Sequence, residues 1–257
     1  MDKYIAFSGG VESSTMCLLY GKGATAVFTD TGAEHEKMYE RLDLMEQFLT
    51  NYHGGDFKLI RLRVSVKCGD KTVDTLTDYV RESKFLPGRR ERFCTRIFKI
   101  QAMDAFLKDK GGCKLLIGLN ADEEREGNFG LLANVEYSCP LQEDGLSRDD
   151  CIELLESHGI APNFPAYMRR GGCIFCPFKS KKEYAAMVHL APDEIELVRE
   201  LEEVVQDARG KYFRIRDNMP PMREFIEVEK NNLFKGDLAN VYRDHDEHYS
   251  CGVFCHR

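Results

Sequence analysis

Short apolar runs alternate with amphipathic segments along the first half of the chain. Because strands that alternate with helices pair in parallel through right-handed crossovers, this order predicts a doubly wound, mainly parallel α/β sheet. Ligands of such sheets bind outside the carboxyl ends of the strands. The predicted strands are 3–7, 25–29, 58–64 and 114–118, and the predicted helices are 13–21, 35–51 and 97–109.

After about residue 140 the pattern becomes helical. Capping boxes at Ser147 and Ser180 predict two helix starts, and Pro192 predicts a third. We therefore expect residues 1–140 to form an α/β domain and residues 141–257 to form a helical, Cys-rich C-terminal region.

The composition is typical of a globular protein, with 43% hydrophobic and 31% charged residues among 257. A net charge of −7 argues against a broad nucleic-acid-binding face. The sequence has neither an apolar run of membrane-spanning length nor a secretory leader, so we expect a cytoplasmic location and no membrane partner. Thiols stay reduced there, so the ten cysteines are interpreted as core residues, metal ligands or catalytic thiols.

A glycine- and serine-rich turn joins the first predicted strand to the first predicted helix. Glycines let the backbone approach a ligand closely, and a helix N-terminus directs N–H groups and a positive dipole end at it. The turn therefore predicts a phosphate-binding loop that lacks the lysine of a Walker loop. The alternative is an ordinary strand-to-helix turn with a serine cap. The residues expected to bind phosphate are Ser8, Gly9, Gly10, Glu12, Ser13 and Ser14.

This turn resembles the SGGxDS loop of the PP-loop ATP pyrophosphatases, with Glu12 where that family usually has Asp. Three later segments resemble the phosphoadenosine phosphosulfate (PAPS) reductase branch, which includes DNA phosphorothioation sulfurtransferase-like proteins. The resemblance spans about residues 4 to 180 and implies an adenine nucleotide alpha-hydrolase-like, Rossmann-like fold. The segments are Asp30-Thr31-Gly32 (DTG), Cys94-Thr95-Arg96-Ile97-Phe98-Lys99 (CTxxxK) and Gly118 to Arg125 (GxxxDExxR).

The resemblance implies that these segments bind an adenine nucleotide, ATP with magnesium. Arg96 and Lys99 lie one predicted helical turn apart in a basic stretch, and we expect them to contact phosphate directly. Asp30 follows the second strand and is expected to be a functional carboxylate, together with Thr31 and Gly32. Asp122 and Arg125 either orient the nucleotide or its magnesium ion, or belong to an ordinary charged loop.

Cys173 and Cys176 form a CxxC motif, and Cys94 lies 79 residues before it. This separation resembles that of the iron–sulfur sulfonucleotide reductases, although the chain has Cys94-Thr95 where they have two adjacent cysteines. The resemblance implies a 4Fe–4S cluster held by Cys94, Cys173, Cys176 and a fourth ligand, for which the candidates are Cys139, Cys251 and Cys255. A structural zinc site, a metal-free redox pair and core thiols remain alternatives.

Two reactions are consistent with the predicted nucleotide site and cysteine motif. In the first, the enzyme cleaves ATP to AMP and pyrophosphate and adenylates an acceptor for sulfur transfer, with Asp30 and Lys99 as catalytic residues. In the second, a sulfonucleotide reductase uses Cys251 as the nucleophile and a dithiol protein as the reductant. A non-catalytic nucleotide- and zinc-binding subunit is the third reading. The sequence indicates neither the acceptor nor the sulfur donor, and it leaves a homodimer open.

Overall fold

The computed structural model describes residues 1–123, 132–169, 171–209, 213–216 and 218–232. Within these residues, its strands are β1 (Asp2–Phe7), β2 (Ala24–Thr29), β3 (Phe57–Leu62), β4 (Val66–Cys68), β5 (Lys71–Val73), β6 (Cys113–Leu116) and β7 (Val135–Ser138). Five of them form one sheet in the order β3-β2-β1-β6-β7, and every neighbouring pair is parallel. The strands β4 and β5 form a separate antiparallel pair.

Helices cover the sheet and continue beyond it. Those of the first half are α1 (Val11–Tyr20), α2 (Glu36–Tyr52), α3 (Leu76–Ser83), α4 (Phe93–Thr95), a π-helical turn (Arg96–Ile100) and α5 (Gln101–Lys108). Those of the second half are α6 (Pro140–Glu143), α7 (Arg148–Ser157), α8 (Lys181–Leu190), α9 (Pro192–Arg209) and α10 (Met222–Lys230). The predicted α/β class with a parallel, Rossmann-like sheet is therefore confirmed.

The two faces of the sheet pack against separate groups of buried side chains. Successive residues of a strand point to opposite faces, so Ile5 and Phe7 of β1 join the main core, whereas Tyr4 and Ala6 join a smaller second core. The helices α1 and α2 cover the main core, and Met103 of α5 belongs to the second. Helices therefore lie on both faces, as a doubly wound sheet requires.

The main core contains residues from both sides of position 140. Met16 of α1 belongs to the same buried group as Tyr184 of α8, Val198 of α9 and Phe225 of α10. The predicted helix starts at Ser147 and Ser180 are confirmed, since both serines form complete capping boxes. The division into two domains stays a prediction, and the Cys-containing tail lies outside the described residues.

The sequence pattern also missed several elements. The four-residue β7 and the β4–β5 hairpin are too short for periodicity to show, and α3, which follows a Thr75 cap, was not predicted. The predicted helix over 97–109 begins earlier, at Phe93, and contains the π-helical turn. Within the described residues, no helix has both the length and the apolar character that crossing a bilayer requires.

Candidate functional site

The order of the strands reverses between β1 and β6. The chain moves outward from β1 through β2 and β3, and then returns to add β6 and β7 on the other side. At such a switch point the loops after the two central strands separate and leave a crevice at their carboxyl ends. The predicted phosphate loop follows β1, and the Gly118 segment follows β6, so both border this crevice.

Gly118 lies directly against the first turn of α1. A Cβ at this position would lie 3.2 Å from the backbone N of Ser13 and 3.3 Å from Cβ of Glu12. Any larger residue would therefore push the loop after β6 away from the phosphate loop. The glycine that begins the GxxxDExxR segment is explained by this close approach.

Hydrogen bonds within the phosphate loop fix its shape. The backbone N–H of Ser8 donates to Oγ of Ser13 at 3.1 Å, and the two serine hydroxyls lie 3.0 Å apart. Gly9 has a φ of +75°, and a Cβ there would lie 2.8 Å from Sδ of Met38. Gly10 is the N-cap of α1 and offers no capping side chain, so the first N–H groups of the helix lack an internal acceptor.

A buried arginine from α2 lies beneath the loop. Nε of Arg41 donates to the carbonyl of Gly9 at 3.2 Å, and an Nη donates to Oγ of Ser14 at 3.1 Å. Arg41 is only 8% exposed, and this burial lowers the pKa of its guanidinium to about 10. Arg41 was not among the residues predicted from the sequence. The available signal was an arginine three residues after Met38, on the buried face of an amphipathic helix.

Glu12 is engaged by the protein rather than free in the crevice. It forms an ion pair with Arg148 of α7, and Nδ2 of Asn120 donates to its Oε1 at 3.2 Å. The backbone N–H of Arg148 in turn donates to Oδ2 of Asp122 at 2.8 Å. Glu12 and Asp122 therefore connect α7 to the loops after β1 and β6. Their predicted contacts with a nucleotide stay predictions, and Arg125 lies outside the described residues.

Asp30 is a buried carboxylate at the end of β2. It accepts hydrogen bonds from the Gly32 N–H at 2.8 Å and from the Tyr39 hydroxyl at 2.9 Å, and it pairs with Arg63. Burial, and then the charge of Asp30, raise the pKa of Tyr39, while the hydrogen bond to Asp30 raises the pKa of Arg63. Thr31 donates to Oε1 of Glu34 at 2.9 Å.

The CxxC motif lies beside the loop that follows β2. Glu34 and Cys173 form an isolated antiparallel β-bridge, and the Ile174 N–H donates to the carbonyl of Ala33 at 2.8 Å. Cys173 and Cys176 are 9% and 7% exposed, so both thiols are nearly enclosed. The structure thus brings the DTG segment and the CxxC motif together.

Met38 connects this region to the phosphate loop. Its Sδ limits the space at Gly9, and its Cε would lie 2.6 Å from a Cβ placed on Gly171, which has a φ of +70°. One side chain of α2 therefore packs against both glycine-containing loops. A substitution at any of these three positions should disturb the other two.

Cys94 belongs to a segment that packs against the CxxC motif. Nε of Arg89 donates to the carbonyl of Pro177 at 3.4 Å, and the guanidinium of Arg92 lies 5.0 Å from the centre of the Phe178 ring. Cys94 itself is half-buried and packs against the main core. The contacts of Arg89 and Arg92 bring the residues before Cys94 next to Pro177 and Phe178, and the role of Cys94 as a metal ligand stays a prediction.

Cys139 lies elsewhere. It follows β7, two strands from β1, and packs against the second core, where burial raises the pKa of its thiol to about 11. The part of the chain that the structure describes contains no group of three or more Cys, His, Asp or Glu side chains placed to hold a metal ion. Cys251 and Cys255 lie outside that part. The cluster, with its fourth ligand, stays a prediction.

Arg96 and Lys99 lie in the π-helical turn Arg96–Ile100 rather than in a regular α-helix. Arg96 is exposed and Lys99 is half-buried. Short π-helical turns are frequent at functional sites. The predicted phosphate contacts of these two residues stay predictions.

His35 precedes α2 and is completely buried. Its Nδ1 hydrogen-bonds to Glu194 of α9, and its ring centre lies 5.2 Å from that of Tyr167. Burial, and then the charge of Lys179, lower the pKa of His35 to about 4, although Glu194 opposes the shift. The imidazole is therefore neutral and donates its Nδ1–H to the carboxylate.

Comparison of the chain with protein-family models and with curated proteins gave no match in either case.

Proposed function

We propose that this chain is a PP-loop enzyme of the PAPS reductase branch that binds ATP with magnesium and cleaves it to AMP and pyrophosphate. The cleavage adenylates an acceptor, which then receives sulfur. The observation that carries the proposal is the position of the Ser8–Ser14 loop at the switch point of a parallel sheet, where α1 begins without a side-chain cap.

In the proposed reaction, negative charge develops on the leaving pyrophosphate, next to the Ser8–Ser14 loop. A nucleophilic oxygen of the acceptor attacks the α-phosphorus, the bond between the α- and β-phosphates breaks, and pyrophosphate leaves with the bonding electrons. N–H groups of the first turn of α1 and the hydroxyls of Ser8 and Ser13 stabilise the leaving pyrophosphate. A sulfur nucleophile then displaces AMP from the adenylated acceptor.

In this proposal the cysteines are candidate ligands of a metal group and take part in no reaction step. Cys173 and Cys176 offer two enclosed, soft sulfur ligands, and Arg89, five residues before Cys94, contacts the adjoining Pro177, which suits an iron–sulfur cluster better than a hard cation. The described residues do not complete a set of ligands. No step of the proposed reaction therefore passes through a metal group.

Release of pyrophosphate and AMP from ATP, with water in place of the acceptor as the nucleophile, tests the proposal. Ser13→Ala removes the hydroxyl that holds Ser8 in the loop, so we expect pyrophosphate release to fall at least about tenfold. Ser157→Ala, which changes an exposed serine of α7, is the matched control and should act like the wild type. Binding of ATP without turnover would contradict the enzyme and favour a non-catalytic subunit.

The second candidate is a sulfonucleotide reductase. The segment Cys251-Gly252 favours it, because it partly resembles the nucleophile segment of those reductases. In this reaction the Cys251 thiolate attacks the sulfate sulfur of PAPS, and a dithiol reductant then releases sulfite. Sulfite release that disappears in Cys251→Ser, without pyrophosphate release from ATP, would replace the first proposal with this one.

A further inference from the structure

We propose that Arg41 is a built-in counter-ion for the phosphate bound by the Ser8–Ser14 loop, and that it acts through the loop as a positioning residue that favours highly charged ligands. The inference rests on the proposed function, because it concerns the same phosphate site. It goes beyond that function by assigning the positive charge that this loop, without a Walker lysine, does not carry itself.

The contacts of Arg41 place its charge directly behind the loop. Its guanidinium donates to the carbonyl of Gly9 and to the hydroxyl of Ser14, one on each side of the Gly10 N-cap. The Gly9 carbonyl and the Ser14 hydroxyl thus both accept hydrogen bonds from Arg41. The N–H groups of the first turn of α1 have no side-chain cap, so they remain available to a ligand next to this charge.

The charge of Arg41 has no acidic partner within the described residues. No carboxylate of that part of the chain pairs with it, whereas Arg148 pairs with Glu12 and Arg63 with Asp30. The two neutral acceptors satisfy part of its hydrogen-bonding capacity but do not neutralise it. The lowered pKa of this guanidinium has burial as its cause.

An unpaired buried cation is unfavourable for the folded protein. A buried charge is strongly unfavourable unless a counter-charge lies nearby, and an apolar residue of similar volume would fill the same space without that cost. The position is on a helix face otherwise formed by Met38, Leu42 and Met45. An anion on the other side of the loop would supply the missing counter-charge, and the protein would recover this unfavourable energy when the ligand binds.

The arrangement predicts which ligands the loop prefers. A charge held in the protein interior is weakly screened, so its attraction to an anion grows with the charge of the ligand at the loop. Pyrophosphate and the polyphosphate of ATP should gain more from Arg41 than AMP, and adenosine should gain nothing. A merely structural arginine would affect the affinity for all of these ligands by a similar factor.

Isothermal titration calorimetry of the full chain with inorganic pyrophosphate, ATP, AMP and adenosine tests this inference. Arg41→Gln removes the charge and keeps an amide, and Arg41→Lys keeps the charge. We expect Arg41→Gln to weaken pyrophosphate binding at least about tenfold and AMP binding less, and Arg41→Lys to restore most of the loss. Arg61→Gln, which removes an exposed arginine paired with Asp43 and Glu46, is the control and should change no affinity.

A second measurement does not depend on whether the Arg41→Gln variant folds. The Nε–H resonance of Arg41 in the wild type, assigned with Arg41→Lys, should shift when pyrophosphate saturates the protein, while that of Arg61 should not. The inference is overturned if the Arg41 resonance does not move, if Arg41→Gln binds pyrophosphate like the wild type, if all ligands weaken equally, or if lysine restores nothing. Failure of the wild type itself to bind pyrophosphate or ATP would instead overturn the proposed function.

Discussion

Glu34 and Cys173 pair through their backbones, although they lie 139 positions apart in the loop after β2 and in the CxxC motif. The adjoining hydrogen bond from Ile174 to Ala33 holds the two segments in register. The pairing makes the predicted nucleotide-binding edge of the sheet and the cysteine motif parts of one surface. The backbone pairing therefore fixes the position of the cysteine motif relative to the loop after β2.

Gly118→Val should damage the site through packing. Because the new side chain would begin 3.2 Å from the backbone of Ser13, it must displace the first turn of α1. We expect a loss of about 1–3 kcal/mol in the free energy of unfolding and at least tenfold weaker pyrophosphate binding. Urea denaturation and calorimetry measure the two effects. Gly112→Ala, where a Cβ meets nothing within 4 Å, is the control, and equal behaviour of the two variants would contradict the close approach.

The Glu12–Arg148 ion pair should couple α7 to the phosphate loop. Its side chains are 11% and 29% exposed, so solvent screens the pair only in part. A double-mutant cycle with Glu12→Gln and Arg148→Met should give an interaction energy of about 1–3 kcal/mol in urea denaturation. The exposed pair Lys37–Glu40 serves as the comparison and should couple much more weakly, because solvent screens it. An additive Glu12–Arg148 cycle would show that the pair contributes nothing.

His35 should make the protein less stable in acid. Its pKa is about 4 in the folded protein against 6.5 ordinarily, so between these values the unfolded chain binds a proton that the folded chain does not. The free energy of unfolding should therefore be fully retained above pH 6.5 and fall as the pH drops towards 4, by up to about 3 kcal/mol.

Urea denaturation of the wild type and His35→Gln at several pH values checks this expectation. The variant should lose much of the slope between pH 6.5 and 4, because its side chain cannot take up a proton. His158→Gln, at the end of α7, is the control and should keep the wild-type slope. An unchanged slope in His35→Gln would show that other groups cause the acid sensitivity.

Metal analysis distinguishes an iron–sulfur cluster from a zinc site at the CxxC motif. We expect anaerobically purified protein to contain iron and acid-labile sulfide and to absorb at about 400 nm, whereas zinc would leave it colourless. Cys173→Ser should lose the iron, and Cys68→Ser, which changes a buried cysteine of β4, should keep it. Cys139→Ser tests the predicted fourth ligand. Stoichiometric zinc without sulfide would contradict the cluster.

Local patterns were sufficient for much of the fold. The apolar run before Ser8 and the glycines after it predict β1, the loop and α1, because each signal lies within a few residues of the structure it specifies. The capping boxes at Ser147 and Ser180 work in the same way, since the cap and its partner are three residues apart. The carboxyl ends of β1 and β2 could therefore be identified as candidate binding positions from the sequence alone.

The sequence by itself determined the α/β class, the glycine- and serine-rich turn after β1 and the position of the CxxC motif. Only the tertiary structure decided that Arg41 lies beneath the loop, that Arg148 pairs with Glu12 and that Arg63 pairs with Asp30. These partners are 27, 136 and 33 positions apart, and the sheet order brings them together. The physical reason is that helical and strand periodicity records which face of an element is buried, whereas the neighbour across that face is set by the packing of the whole chain.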